Sequence, residues 1–228
     1  MKLVGRKIMQ AQFESTSGGD GKTVFVLTDN PSLYGDTLSR GGHDPAFVND
    51  VGALVSQLAQ ERVAGMVLEI DKVMKGKRRE RDRLFNLASR FPVLRTRANA
   101  RNGHVTYLDP PAAFFCNLKA SQGKWERSHE RREVELACRL SREEDPSMAV
   151  PCQGTIFDIS PGGCRVCTEK ALEGEPFLHI CLTGFGCQRP IYSSVRWTRP
   201  SEDETGRVCL GLLFIDLEER QMEALAGL

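Results

Sequence analysis

Two stretches of this 228-residue chain carry side chains whose types and spacing could do chemistry. The first is Arg127-Ser-His-Glu-Arg131, two guanidinium groups four residues apart in a polar segment. A guanidinium presents a planar fork of donors that can grip an anion bidentately and lie flat on a ring, which a lysine ammonium does less well. The second, Asp158-Ile-Ser-Pro-Gly-Gly163, follows about 27 residues later and sets a carboxylate, the Ser160 hydroxyl and two glycines between strand-like segments. Gly162 and Gly163 let the backbone turn and let a ligand approach it closely. Taken singly, each is ordinary. Arginines among Glu126, Glu130 and Glu133 form a solvated, charge-paired surface, and Asp-x-Ser-x-Gly-Gly is a common turn. Arg132 is a third cation beside the pair, although Arg127 and Arg131 fit the register against Val134-Glu-Leu136 better.

Other constellations are weaker. Cys164-Arg-Val-Cys167 has the spacing of half a zinc site, but Cys181 and Cys187 make a poor second half. Residues three apart on a strand also point to opposite faces. No metal is expected. Of the eight cysteines, seven lie beyond residue 137; in a chain of this length without a secretory leader they read as reduced, buried thiols. Gly21-Lys22-Thr23 looks like the end of a phosphate loop, but Thr16 stands where that loop needs its first glycine, and a strand follows instead of a helix.

These residues need elements to hold them. Residues 1–22 read as a polar arm or hairpin. Apolar runs at Thr23–Thr28 and Gly65–Ile70 have the character of strands buried on both faces. Helical patterns at 51–62 and 78–90 separate these from each other and from Pro92–Arg95, and Val105–Leu108 is a last short strand. That alternation predicts a small α/β sheet with right-handed crossovers. Past Lys119-Ala-Ser-Gln-Gly-Lys124, which reads as a linker, short strands at 133–140, 153–159, 163–168, 176–182, 190–198 and 207–215 follow without an intervening helix. They predict an antiparallel barrel or sandwich, closed by a short amphipathic helix over 217–228. The expected division is an α/β domain over 1–118, a linker over 119–126 and an all-β domain over 127–228.

Within that frame, Arg-x-x-x-Arg followed by Asp-x-Ser-x-x-Gly resembles the two signatures of the PilZ domain family. Val195-Arg-Trp197 and Leu210-Gly-Leu-Leu-Phe-Ile-Asp-Leu217 look like its penultimate and last strands. The resemblance covers the whole second half. It implies a six-stranded β-barrel that binds cyclic di-GMP, a bacterial second messenger with two guanines and two bridging phosphates, without enzymatic activity. The residues suit that ligand: arginine forks can hold phosphate or pair with guanine O6 and N7, and Asp158 can accept from guanine N–H groups. The implied ligand set is Arg127, Arg131, Arg132, Asp158, Ser160, Gly162 and Gly163. The implied role is signalling to a protein partner in motility, biofilm or surface polysaccharide control.

The first half bears a weaker resemblance to the response-regulator receiver domain. Asp71-Lys-Val-Met74-Lys-Gly76 looks like a phosphoacceptor aspartate and its following turn, with Lys75 where proline is usual. The magnesium-holding acidic pair is reduced to Thr28-Asp29-Asn30, and Asp109 stands where a lysine is expected. Phosphoryl transfer needs concentrated negative charge for the metal and a cation for the new phosphate. The half therefore reads as a degenerate, protein-docking domain, the alternative being a response regulator phosphorylated at Asp71. Only about ten residues separate Arg95 from Val105, too few for a crossover helix.

Charge separates the halves. The chain has 31 Lys and Arg against 30 Asp and Glu, for a net +1. Residues 1–119 hold 18 basic and 12 acidic side chains, so the remainder is acidic by about as much. The basic run from Lys72 to Arg83, broken by Glu80 and Asp82, has no helix-turn-helix pattern beside it, so a mixed-charge helix surface is its ordinary reading; an acidic protein partner suits it equally well, and no nucleic acid is expected as partner. No run reaches about 18 apolar residues and the start lacks a signal-peptide core, so no membrane span and a cytoplasmic location are expected.

Overall fold

In the computed structural model the described residues are 23–60, 63–99, 102–120, 127–169, 172–184, 189–201 and 206–228. The arm expected over 1–22 and most of the linker lie outside them. The first half is a five-stranded sheet in the order β2-β1-β3-β4-β5, built from β1 (Thr23–Leu27), β2 (Asp44–Val48), β3 (Gly65–Glu69), β4 (Val93–Asn99) and β5 (His104–Tyr107). The β1 strand runs parallel to β2 and β3, and β3 runs parallel to β4. Every residue of β3 is buried: the apolar run Gly65–Leu68 fits a strand covered on both faces, and Glu69 closes it as a buried carboxylate. Strand β5 returns antiparallel to β4, because the short connection after β4 leaves no room for a helix.

The helices are α1 (Gly35–Arg40), α2 (Val51–Leu58), α3 (Ile70–Lys75), α4 (Arg78–Ala88) and α5 (Pro111–Lys119). Asp50 caps α2 by accepting from the Ala53 amide at 2.9 Å, and Val51, Leu54 and Leu58 form its buried stripe. The sequence pattern misses β2, α1 and α5. Strand β2 contains Pro45 and buries only Val48, the profile of an edge strand rather than of a buried run.

The second half closes into a barrel in the order β10-β11-β8-β7-β6-β9, whose neighbouring strands all pair antiparallel. Its strands are β6 (Arg132–Arg142), β7 (Cys152–Ser160), β8 (Gly163–Glu169), β9 (Phe177–Leu182), β10 (Ile191–Pro200) and β11 (Arg207–Asp216), followed by α6 (Glu219–Ala226). Leu140, Ile156, Val166, Ile180, Leu210 and Phe214 fill the interior, and Leu225 of α6 joins the same cluster. The cysteines depart from the expectation of free thiols. Cys167 and Cys209 stand opposite each other in β8 and β11 and form a disulfide, a pairing that a separation of 42 positions conceals in the sequence. Cys164, three residues before Cys167, faces the core, where burial pushes its thiol pKa well up. Among the described residues no group of three or more His, Cys, Asp or Glu could hold a metal.

The two halves share a core. Phe177, Tyr192 and Ile215 of the barrel belong to the same apolar cluster as Leu84 and Phe85 of α4. Phe85 meets Phe177 edge-on at 6.3 Å, and Phe177 stacks on Tyr192 at 5.4 Å. Around this cluster Arg81 pairs with Glu143 and lies over both the Phe177 and Tyr192 rings, while Arg78 reaches Glu143 at 2.7 Å and Glu175 at 3.5 Å. Part of the basic run thus meets acidic groups of its own chain.

Candidate functional site

The turn between β7 and β8 forms one side of the candidate site. Ser160 Oγ accepts from the Gly162 amide at 3.3 Å and lies 3.4 Å from the Gly163 carbonyl, and the Gly162 carbonyl accepts from the Phe214 amide at 3.2 Å. A Cβ on Gly163 would stand 2.0 Å from the Leu212 carbonyl oxygen, so β11 can approach only a glycine there. The arm before β6 crosses this turn: a Cβ on Gly162 would be 3.3 Å from the His129 ring.

One direct bond joins the two arginine and aspartate stretches. Arg131 Nη1 donates to Asp158 Oδ1 at 2.6 Å, and Arg165 Nε donates to the other oxygen at 2.8 Å. Arg127 is exposed and makes no ion pair among the described residues. Arg132 is exposed at the start of β6, across the ladder from Ile159. Arg127, Arg131, Ser160 and Gly162 line one cavity of about 340 Å³; Arg132, Asp158 and Gly163 do not. Its opposite wall belongs to the first half, where Phe85, Ala88, Phe91 and Pro92 present apolar surface.

His129, between the two arginines, ties the arm to the α/β half. Its Nε2 lies 3.0 Å from Asp109 Oδ1. Asp109 accepts from Arg95 three further ways: from Nε at 2.9 Å, from Nη2 at 2.6 Å and from the backbone amide at 2.8 Å. Arg95 also donates to the Phe214 and Pro161 carbonyls of the barrel. Burial alone would raise the Asp109 pKa, but the Arg95 charge and the hydrogen bonds from His129 and Arg95 outweigh it and hold the carboxyl well below the usual range. Nothing in the local sequence marks this network, since Arg95, Asp109 and His129 meet only in the tertiary structure. Arg196 is a second residue that the pattern misses; it lines the same cavity from β10.

Asp71 is exposed in the first turn of α3, and the carboxylate at the end of β3 is Glu69. Glu69 is buried and accepts from the Thr28 hydroxyl at 2.6 Å, and its pKa is raised chiefly by burial. Asp29 pairs with Lys72 at 2.6 Å.

Residues 126–228 match the family model of the PilZ domain, as their barrel and two site stretches anticipate. This part of the chain is a PilZ domain. Three solved structures are similar to it at low identity. One is the Bacillus subtilis inhibitor of motility MotI (16% identity, TM-score 0.35, covering 44% of this chain and 47% of that one). Another is the PilZ domain with c-di-GMP of YcgR from Escherichia coli (14%, TM-score 0.32, 44% and 86%). The third is MrkH, described as a c-di-GMP-dependent transcription regulatory factor (16%, TM-score 0.31, 45% and 49%). The match thus spans about half the length of MotI and of MrkH. No curated protein matches the sequence. Among the described residues no helix is long and apolar enough to cross a membrane.

Proposed function

We propose that this chain is a cyclic di-GMP receptor that binds the dinucleotide between its PilZ barrel and its α/β half and passes occupancy to a protein partner, in bacterial motility, biofilm or surface polysaccharide control. The observation that best supports this reading is the convergence of Arg127, Arg131, Ser160 and Gly162 on one cavity with an apolar far wall. Guanidinium groups suit the phosphates and guanine edges, and apolar side chains suit the base faces. The ligand-binding set is Arg127, Arg131, Asp158, Ser160, Gly162 and Gly163, with Arg132 at its margin. Asp158 is held by Arg131 and Arg165, so ligand entry re-sorts an existing charge network rather than ordering free side chains. Because His129 connects the arginine arm to Asp109, movement of the arm on binding is felt by the α/β half.

Isothermal titration of the full chain with cyclic di-GMP tests the reading. Binding in the micromolar range is expected. Arg127→Ala and Arg131→Ala should each weaken it at least about tenfold, since a charged hydrogen bond contributes roughly 1.5–3 kcal/mol. No heat of binding in the wild type, or wild-type affinity in both variants, refutes it.

A further inference from the structure

The cavity contains a guanidinium that neither site stretch includes. Arg196 lies on β10 between Val195, paired with Leu212, and Trp197, paired with Gly211; the register shifts there and leaves Arg196 opposite no residue of β11. A bulge of this kind re-aims the extra side chain. Tight packing fixes it, because a Cβ on Gly211 would stand 2.1 Å from the Trp197 indole nitrogen. The bulge delivers Arg196 to the wall of the cavity that Arg127, Arg131 and Ser160 also line. Arg196 is half-buried and makes no ion pair among the described residues. The acidic group whose charge it feels is Asp82 of α4, and burial lowers its pKa.

Charge matching gives this placement a role. Arg131 is already paired with Asp158 at 2.6 Å and Arg95 with Asp109 at 2.6 Å, which leaves Arg127 and Arg196 as the arginines of the cavity with no ion pair among the described residues. A cyclic dinucleotide carries two phosphodiester charges. We propose that Arg196 is a ligand-binding residue of this site, taking one phosphodiester of the dinucleotide while Arg127 takes the other. The proposal rests on the cyclic di-GMP reading above and adds to it a residue outside the Arg-x-x-x-Arg and Asp-x-Ser-x-x-Gly stretches. An unpaired, partly dehydrated guanidinium is well suited to this task, because little hydration remains to be removed when the anion arrives.

Titration of the 228-residue chain with cyclic di-GMP separates the possibilities. Arg196→Met keeps most of the side-chain bulk and removes the charge, and should weaken binding about tenfold or more. Arg196→Lys keeps the charge without the fork and should fall between. Arg199→Ala, on the same strand but outside the cavity, serves as the control and should bind as the wild type does. Should Arg196→Met fail to fold by circular dichroism, Arg196→Gln reads the same quantity. If the wild type binds and the charge-removing variant binds within about twofold of it, Arg196 is not a ligand contact and the proposal falls while the receptor reading stands. If the wild type does not bind, the receptor reading falls and takes the proposal with it.

Discussion

Replacing Asp109 by Asn probes the junction between the two halves. The Asp109 side chain is 7% exposed and that of Arg95 3%, so each charge is nearly stripped of water and depends on the other. Asparagine keeps one acceptor oxygen but turns an amide donor towards guanidinium or backbone N–H groups, leaving the Arg95 charge buried without a counterion. Breaking a buried pair from one side costs about 3–5 kcal/mol. Arg95 also donates to the Phe214 and Pro161 carbonyls, so the cost is borne by the barrel as well as by the sheet. Urea unfolding followed by circular dichroism should show the midpoint falling for both halves together, with a loss of about 3–5 kcal/mol. Adding Arg95→Met should restore part of it, since the orphaned charge is then removed. The pH profile gives an independent check. The depressed Asp109 pKa contributes stability that is fully present above the ordinary carboxylate value, about 4, and is lost only as pH falls through the lower folded value. The penalty of Asp109→Asn should therefore shrink as pH falls below about 4, where the wild type loses this contribution. A loss below about 1 kcal/mol, or no recovery in the double variant, would refute the reasoning.

Two further outcomes follow from the barrel. Gly163→Ala forces a Cβ to within 2.0 Å of the Leu212 carbonyl, so it should destabilise the domain by about 1–3 kcal/mol or more and weaken cyclic di-GMP binding through the displaced turn; an unchanged thermal midpoint would show that β11 can give way. His179 of β9 has its pKa lowered, chiefly by burial, with contacts to Glu143 opposing. Its contribution to stability is thus complete above the ordinary value near 6.5 and is lost as pH falls towards the folded value. The stability difference between wild type and His179→Gln, read from urea midpoints at pH 7.5 and 5.5, should shrink at the lower pH; a difference independent of pH contradicts this.

The barrel was legible because its information is local. Strands expected at 153–159 and 163–168 run over Cys152–Ser160 and Gly163–Glu169, since alternation and glycine turns fix both ends within a few residues. The buried strands β1 and β3 were equally readable. Edge strand β2 was not, because Pro45 and an exposed face give it none of the signals of a core strand. Helix α5 starts at Pro111 with Pro110 at its cap and no side-chain cap hydrogen bond, so its start carries none of the usual Ser, Thr, Asp or Asn signals. The arginine and aspartate stretches could be found because their members are close in sequence. Arg196 could not, since its place in the cavity depends on a bulge between two strands, and single-strand periodicity says nothing about register shifts.

The charge asymmetry carries a similar lesson. A basic first half and an acidic second half suggest a docking surface for an outside acidic partner. In the folded chain Arg78 and Arg81 meet Glu143 and Glu175, and Arg97 meets Asp216, so part of that opposition is satisfied internally. Arg81 is 12% exposed and sandwiched against Phe177 and Tyr192, which makes it a component of the shared core rather than of a free surface. The junction is therefore held by buried apolar contacts and by ion pairs, of which the buried Arg81–Glu143 pair is screened only weakly by salt. A ligand entering the cavity at this junction acts on an assembled pair of domains. On the proposed reading it would act by re-sorting the Arg131–Asp158–Arg165 network and shifting the His129–Asp109 contact, by as much as its affinity differs between the two arrangements.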